Sequence, residues 1–312
     1  IVHCVDGPPS YLAFCLDDSA LCVVEGPRGI VLHGLGPQGS RRVLMSAARA
    51  EPSILSVSAS GARLAVGFPE RPVLLWDLER SSEPPRTMTK LASPSCLLLA
   101  PDGRTLFLNF DQNVIFAFPE AKAPHPRTPL AGHSAEAWSL AFSHDDRTLA
   151  SGGDDHLIKL WDVETGAPLG SIEAHQQTVT GLAFAPGREE LASISLDGSL
   201  KIWNFIRDDS ESAGGPSARL ELVRTLRPAG ESQLRCVAYS PDGSLIAASG
   251  LVPEVLIYDA VDYSRSSRIP SAHRDMITAM AFSSSNPFNL ATVSCDRELR
   301  IWDTQAGDCI FR

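Results

Sequence analysis

A chain of 312 residues, 44% hydrophobic and 21% charged, has the makeup of a globular protein with one large domain or two smaller ones. No apolar run approaches the roughly 18 residues that a membrane-spanning helix needs, so no such segment is expected. The formal charge of −10 opposes the counterion release that drives binding to a phosphate backbone, which argues against nucleic acid as a general partner.

In chain order, the sequence opens with a short apolar strand, IVHCV (1–5), and residues 1–7 lack the basic stretch and long apolar run of a secretory signal. A first apolar hairpin, ALCVVEGPRGIVLHG, ends near His33, and others end on Trp76 and Phe118. Two long Pro-rich connections follow those strands, ERSSEPPRT (79–87) and PEAKAPHPRT (119–128). The clearest hairpins come next, LASGGDDHLIKLWD (149–162) and LASISLDGSLKIWN (191–204). After a polar insertion, RDDSESAGGPSA (207–218), a hairpin ends on Tyr258 and a last one reads LATVSCDRELRIWD (290–303). Apolar alternation on both sides of an Asp-containing turn predicts hairpins with one face buried.

The three clearest hairpins are each preceded by a short apolar strand, AWSLAFS, VTGLAFA or ITAMAFS, introduced by His133, His175 or His273. The slots that close each unit fall at 33, 76, 118, 161, 203, 258 and 302, with spacings of 43, 42, 43, 42, 55 and 44. The one long spacing contains the insertion at 207–218. A period of this kind marks a repeat architecture in which each unit buries its apolar face against the next.

These units resemble the WD40-repeat family, whose repeats open on a Gly-His pair and close on Trp-Asp. Only His133 keeps the Gly, as Gly132; His175 and His273 follow Ala174 and Ala272. The resemblance implies an all-β fold: a single seven-bladed β-propeller over 1–312, four antiparallel strands per blade. The blades are expected at about 8–47, 48–90, 91–131, 132–173, 174–229, 230–271 and 272–312. A ring of this family normally completes its last blade with a strand from the opposite terminus. Residues 1–5 are favoured for that place over CIFR (309–312), in which case the leftover C-terminal piece hints at a further module after Arg312.

The family pattern also implies a buried hydrogen-bond tetrad of His, Ser or Thr, Asp and Trp. Three blades hold all four members: His133, Ser151, Asp155 and Trp161; His175, Ser193, Asp197 and Trp203; His273, Thr292, Asp296 and Trp302. A His, Ser and Asp together also suggest a nucleophilic triad, but three copies at the repeat period fit a structural device better than one catalytic cleft. The Asp slot holds Pro27, Glu70, Gln112 and Val252 in the other blades, which are expected to rely on apolar packing and to be softer.

In this family partners commonly dock on the narrow face of the ring, and alignment places there Glu136, Trp138 and Asp154; Thr178, Thr180 and Leu196; Met276, Thr278 and Cys295. Gln233, Arg235 and Leu251, then Ser53, Leu55 and Pro69, occupy the same slots in weaker blades. Trp138 and Arg235 are the leading candidates for a protein-binding hot spot. The competing readings are that Trp138 packs between blades and that Arg235 is solvated or paired with a neighbouring acid. The insertion at 207–218 reads as a mobile loop on the opposite face.

No metal-ligand spacing and no Gly-rich phosphate loop is present, so neither metal nor cofactor is expected. SLDGSLKIW (195–203) misplaces the Gly and Trp of a sialidase-type turn. WDLE, WDVE, WNFI and WDTQ lack the Trp-Asp-x-Arg of ubiquitin-ligase receptors. The seven cysteines, at 4, 15, 22, 96, 236, 295 and 309, form no Cys-x-x-Cys pair, so reduced thiols and a cytoplasmic setting are expected. A non-enzymatic scaffold for other proteins or peptides, within a larger chain or complex, is therefore the expected function. An enzyme or small-ligand propeller using the central channel is the alternative.

Overall fold

The computed structural model describes residues 12–15, 19–25, 29–35, 41–45, 52–80, 83–89, 93–110, 113–119, 129–210, 215–228 and 233–311. Among these residues there are twenty-eight strands in seven four-stranded sheets, and no helix. Each sheet takes four strands consecutive in sequence, so the blades run 12–45, 54–87, 96–131, 137–173, 179–226, 234–269 and 277–311. The chain is an all-β, seven-bladed propeller.

The closing slots explain why the blades are alike. Across the second and third strands, Leu21 pairs with His33, Leu64 with Trp76, Leu106 with Phe118 and Leu149 with Trp161. The same register gives Leu191 with Trp203, Ile246 with Tyr258 and Leu290 with Trp302. An aliphatic side chain therefore faces a large ring in every blade, and a slip of one residue would turn both to the other face. In blades four and five the hydroxyl slot ten residues before the aromatic is Ser151 or Ser193, and in blade seven Thr292. In the others it is Val23, Val66, Leu108 and Ala248, all fully buried.

No blade has a core of its own. Among the described residues seven apolar clusters each draw on two adjacent blades; Ile194, Leu200 and Ile202 of blade five meet Ile246, Leu256 and Tyr258 of blade six in one of them. Burying one such aliphatic side chain contributes on the order of 1.5–3 kcal/mol, and only a neighbouring sheet can supply that burial. The circle is completed where Leu12, Leu21 and Val23 of blade one pack on Ala291, Val293, Leu299 and Ile301 of blade seven.

That seam corrects the expected closure. The outer strand of blade seven is Asp308–Phe311, antiparallel to Leu299–Asp303, so the C-terminal segment holds the place for which residues 1–5 were favoured. A tight turn directly after Trp302 and Asp303 makes this hairpin local, with the Gly307 N–H donating to the Asp303 carbonyl at 2.8 Å. Residues 1–5, Pro27, Gln112 and most of 119–128 lie outside the described residues.

The insertion is corrected as well. Its two flanks are strand: Leu200–Asp208 and Ser217–Leu226 form one long hairpin in which Arg207 pairs with Ala218 and Asp208 with Ser217; only 211–214 lie outside the described residues. Arg207 ties this hairpin to blade four. Its guanidinium donates to Asp162 at 2.6 Å, to the Thr148 hydroxyl at 2.8 Å and to the Arg147 carbonyl at 3.0 Å.

Candidate functional site

The first strands of four blades begin with a β-bulge in the same place. In blade four Ala137 pairs with Gly153 and Ser139 with Gly152, leaving Trp138 as the extra residue. The extra residues of blades five, six and seven are Thr180, Arg235 and Thr278. A bulge places two residues opposite one and re-aims a side chain out of the strict alternation of the strand. Beside each bulge a backbone N–H closes the turn: Asp154 donates to the Glu136 carbonyl, Leu196 to Thr178, Leu251 to Gln233 and Cys295 to Met276, at 2.9–3.2 Å.

The re-aimed side chains converge. A cavity of about 510 Å³ is lined by Ser53, Ile54, Ser95, Trp138, Asp154, Thr178, Thr180, Leu196, Arg235, Met276 and Thr278. These residues come from six blades, and only the axis of the ring is within reach of six blades at once. The cavity gathers nine of the fifteen residues aligned to the docking face. Glu136, Gln233, Leu251, Leu55, Cys295 and Pro69 are not in its lining.

Leu55 is a correction. Its side chain is buried, packed in the cluster between blades one and two, while Ile54 and Ser53 face the cavity. In blade two Ile54, Leu55, Ser56 and Val57 pair one-for-one with Gly67, Val66, Ala65 and Leu64. Plain alternation then turns Leu55 into the core. Ile54 and Ser95 were missed altogether, although for Ser95 a signal existed. Ser53 and Ser95 stand twenty-three residues before Trp76 and Phe118, as Trp138, Thr180 and Arg235 do before Trp161, Trp203 and Tyr258.

The polar groups of the mouth differ in how far they are already engaged. The Asp154 carboxylate accepts from the Thr178 hydroxyl at 2.6 Å, and Glu136 accepts from Ser95. Thr180 donates to the Leu234 carbonyl at 2.7 Å and so joins blade five to blade six. Arg235 is exposed, and among the described residues its guanidinium makes no hydrogen bond or ion pair. Trp138 does not pack between blades; it is 45% exposed.

The tetrads lie apart from the mouth. In blade four the Trp161 indole N–H donates to Ser151 at 2.8 Å, the Ser151 hydroxyl reaches His133 Nε2 at 2.7 Å, and His133 Nδ1 faces Asp155 at 2.9 Å. Blade five repeats these contacts with Trp203–Ser193 at 2.8 Å, Ser193–His175 at 2.7 Å and His175–Asp197 at 3.1 Å. Blade seven does so with Trp302–Thr292 at 2.8 Å, Thr292–His273 at 2.8 Å and His273–Asp296 at 3.0 Å. Each Asp also accepts the backbone N–H after the His, from Ser134, Gln176 or Arg274, at 2.9–3.0 Å. That geometry needs a tight turn with a left-handed residue after the Asp, supplied by His156, Gly198 and Arg297 at φ of 66°, 77° and 68°.

Burial lowers the affinity of all three imidazoles for a proton against the pull of their carboxylates, bringing His175 down to about 4. Burial works against ionisation of Asp197, but the Gln176 and Ser199 donors prevail and hold it at about 2. A neutral His accepting from the hydroxyl and donating to an ionised Asp satisfies every member. Ser151, Ser193 and Thr292 have no exposed surface, so their hydroxyls cannot meet a substrate, and each already engages an indole and an imidazole. A nucleophile must reach its electrophile; these cannot. Among the described residues no group of three His, Cys, Asp or Glu is placed to hold a metal ion, and no helix is long and apolar enough to cross a membrane.

Comparison with known proteins agrees with this geometry. The family profile described as "WD domain, G-beta repeat" matches residues 125–162, 166–204, 220–251 and 264–303. The span 166–204 joins the outer strand of blade four to the first three strands of blade five, so the sequence repeat is offset by one strand from the blade. "Protein HIR1" of Cryptococcus neoformans is 30% identical over 246 residues, which are 70% of this chain and 26% of that protein. "Periodic tryptophan protein 2 homolog" of Dictyostelium discoideum is 28% identical over 174 residues, 55% of this chain and 18% of that protein. The chain thus spans about a fifth to a quarter of the length of these curated relatives. In the crystal structure of the Mitotic Checkpoint Complex, one chain superposes with a TM-score of 0.77 at 22% identity, covering 97% of this chain and 94% of that one.

Proposed function

From the premise that this chain belongs to the WD40-repeat β-propeller family, we propose that it is a protein-interaction module that docks a segment of a partner protein on the axial mouth of its ring. One observation carries the reading: equivalent bulges in four blades turn Trp138, Thr180, Arg235 and Thr278 onto a single cavity. A half-exposed Trp and an Arg without a hydrogen-bond or ion-pair partner among the described residues, both lining such a surface, have the character of binding hot spots. The similar solved chain was crystallised as part of a complex, the Mitotic Checkpoint Complex, which is in keeping with a docking role.

Affinity capture with the ring as bait, repeated with Trp138→Ala and Arg235→Ala, tests the proposal. A partner retained by the parent ring and lost from both variants supports it. A partner held equally by all three removes the mouth from consideration.

The cavity volume of about 510 Å³ also falls in the range of small-molecule pockets, so the alternative has an observation of its own. A metal or small metabolite that raises the melting temperature, by binding only the folded ring, would favour that alternative. For the compartment, the six described cysteines are free thiols, which supports the cytoplasm or another reducing setting.

A further inference from the structure

Among the described residues the mouth is lined by one acid and one cation, and the acid is already engaged: the Asp154 carboxylate accepts from the Thr178 hydroxyl. The cation, Arg235, is exposed and has no hydrogen-bond or ion-pair partner among the described residues. The same lining holds the large apolar side chains of Leu196 of blade five, Met276 of blade seven and Trp138 of blade four beside the hydroxyls of Thr178, Thr180 and Thr278. Leu251 and Val252, 44% and 37% exposed, stand at the turn of blade six, Val252 in the slot where the tetrad blades carry a hydrogen-bonded Asp.

We infer that the occupant of the mouth is an extended peptide segment bearing one carboxylate, from Asp or Glu, that pairs with Arg235 while large apolar neighbours rest on Trp138, Leu196 and Met276. This deepens the docking reading above and rests on it. A guanidinium fork matches a carboxylate with two parallel N–H donors, and apolar residues of the docked segment would shield the pair from water. The ring as a whole carries a formal −10, so its long-range field repels a strongly acidic segment and favours one that is neutral or basic apart from the seated carboxylate.

The test uses a library of random twelve-residue peptides displayed on phage, selected in parallel on the parent ring, Trp138→Ala, Arg235→Gln and Arg235→Glu, each checked for an unchanged melting temperature. The parent ring should enrich peptides with a single Asp or Glu flanked by aromatic or aliphatic residues. A synthetic copy of a selected peptide should bind about tenfold more weakly when its acid becomes the amide, and Arg235→Gln should weaken the original peptide as much. Arg235→Glu should shift the selection to Lys or Arg at the same position.

Selected peptides that depend on Trp138 but show no acidic enrichment, and bind Arg235→Glu as well as the parent ring, would overturn this inference and leave the docking face standing. A peptide that binds only when phosphoserine replaces its acid would also overturn it. Peptides indifferent to both residues, or no enrichment at all, would overturn the docking face itself.

Discussion

Trp138 and Arg235 are the extra residues of equivalent β-bulges in blades four and six, and both side chains line the same axial cavity. Neither supports the core, since both are exposed. Trp138→Ala should therefore change folding stability by less than about 0.5 kcal/mol while weakening a docked partner at least tenfold, or about 1.4 kcal/mol. Denaturant melts and a binding titration of the same preparation separate the two effects.

The Ser193 hydroxyl has the opposite character. It receives the Trp203 indole N–H and faces His175 Nε2 in a site without solvent. Ser193→Ala strips both partners and should cost roughly 2–4 kcal/mol, the penalty of leaving buried polar groups unsatisfied. Ala248 holds the equivalent slot in blade six, where no such relay exists. Ala248→Ser should then destabilise, because the new hydroxyl gains no matched partners. Equilibrium unfolding of both variants checks the contrast.

Acid should unfold the ring through its tetrads. Burial keeps His133, His175 and His273 below the ordinary histidine value, with His175 at about 4, whereas the unfolded chain takes up these protons near pH 6.5. Between those values the unfolded chain binds protons that the ring refuses, so stability present above about pH 6.5 is lost as pH falls toward about 4. Asp197, held at about 2, extends the loss below its ordinary range near 3.9. Melting temperatures measured from pH 7.5 to 4 should decline throughout the lower half of that interval; a rise on acidification would contradict the tetrad account.

The long hairpin of blade five lies so close to blade four that a Cβ built on Gly170 would stand 2.1 Å from the Ala218 carbonyl oxygen. A side chain there must push the hairpin away. Gly170→Val should cost about 1–3 kcal/mol and expose the Arg207–Asp162 pair. Arg207→Ala leaves Asp162, whose side chain is 10% exposed, without its cation, and should cost about 3 kcal/mol. Limited proteolysis at 207–218 should accelerate in both variants and remain unchanged in Arg224→Ala on the exposed outer strand.

The architecture was legible because one strong interval, from the closing aromatic of one blade to the next, repeats through the chain whatever else a blade has lost. His33, Phe118 and Tyr258 keep the register of Trp161 even though their blades lack the Ser or Thr. The tetrad positions were readable for the same reason, the Asp standing six residues before the Trp each time. What the pattern could not carry was local geometry. A bulge inserts one residue into one strand without any necessary change in composition, and Leu55 was aligned two residues away from its true equivalent: it pairs with Val66 as Leu140 does with Ser151, on the core side, while Ser53 holds the slot of Trp138. The polar and Gly content of 207–218 reads as a loop, yet its flanks are held in strand by pairing along their backbones and by Arg207, a contact forty-five residues distant at Asp162. Closure depended on a competition between two short apolar segments of nearly equal merit, settled by the short turn after Asp303.

Hydrogen–deuterium exchange of the ring, alone and with its captured partner, tests the docking claim most directly. The account predicts new protection at 136–138, 178–180, 233–235 and 276–278, the approaches to the four bulges. Protection confined to the blade-five hairpin at 200–226, with those four segments unchanged, would contradict it.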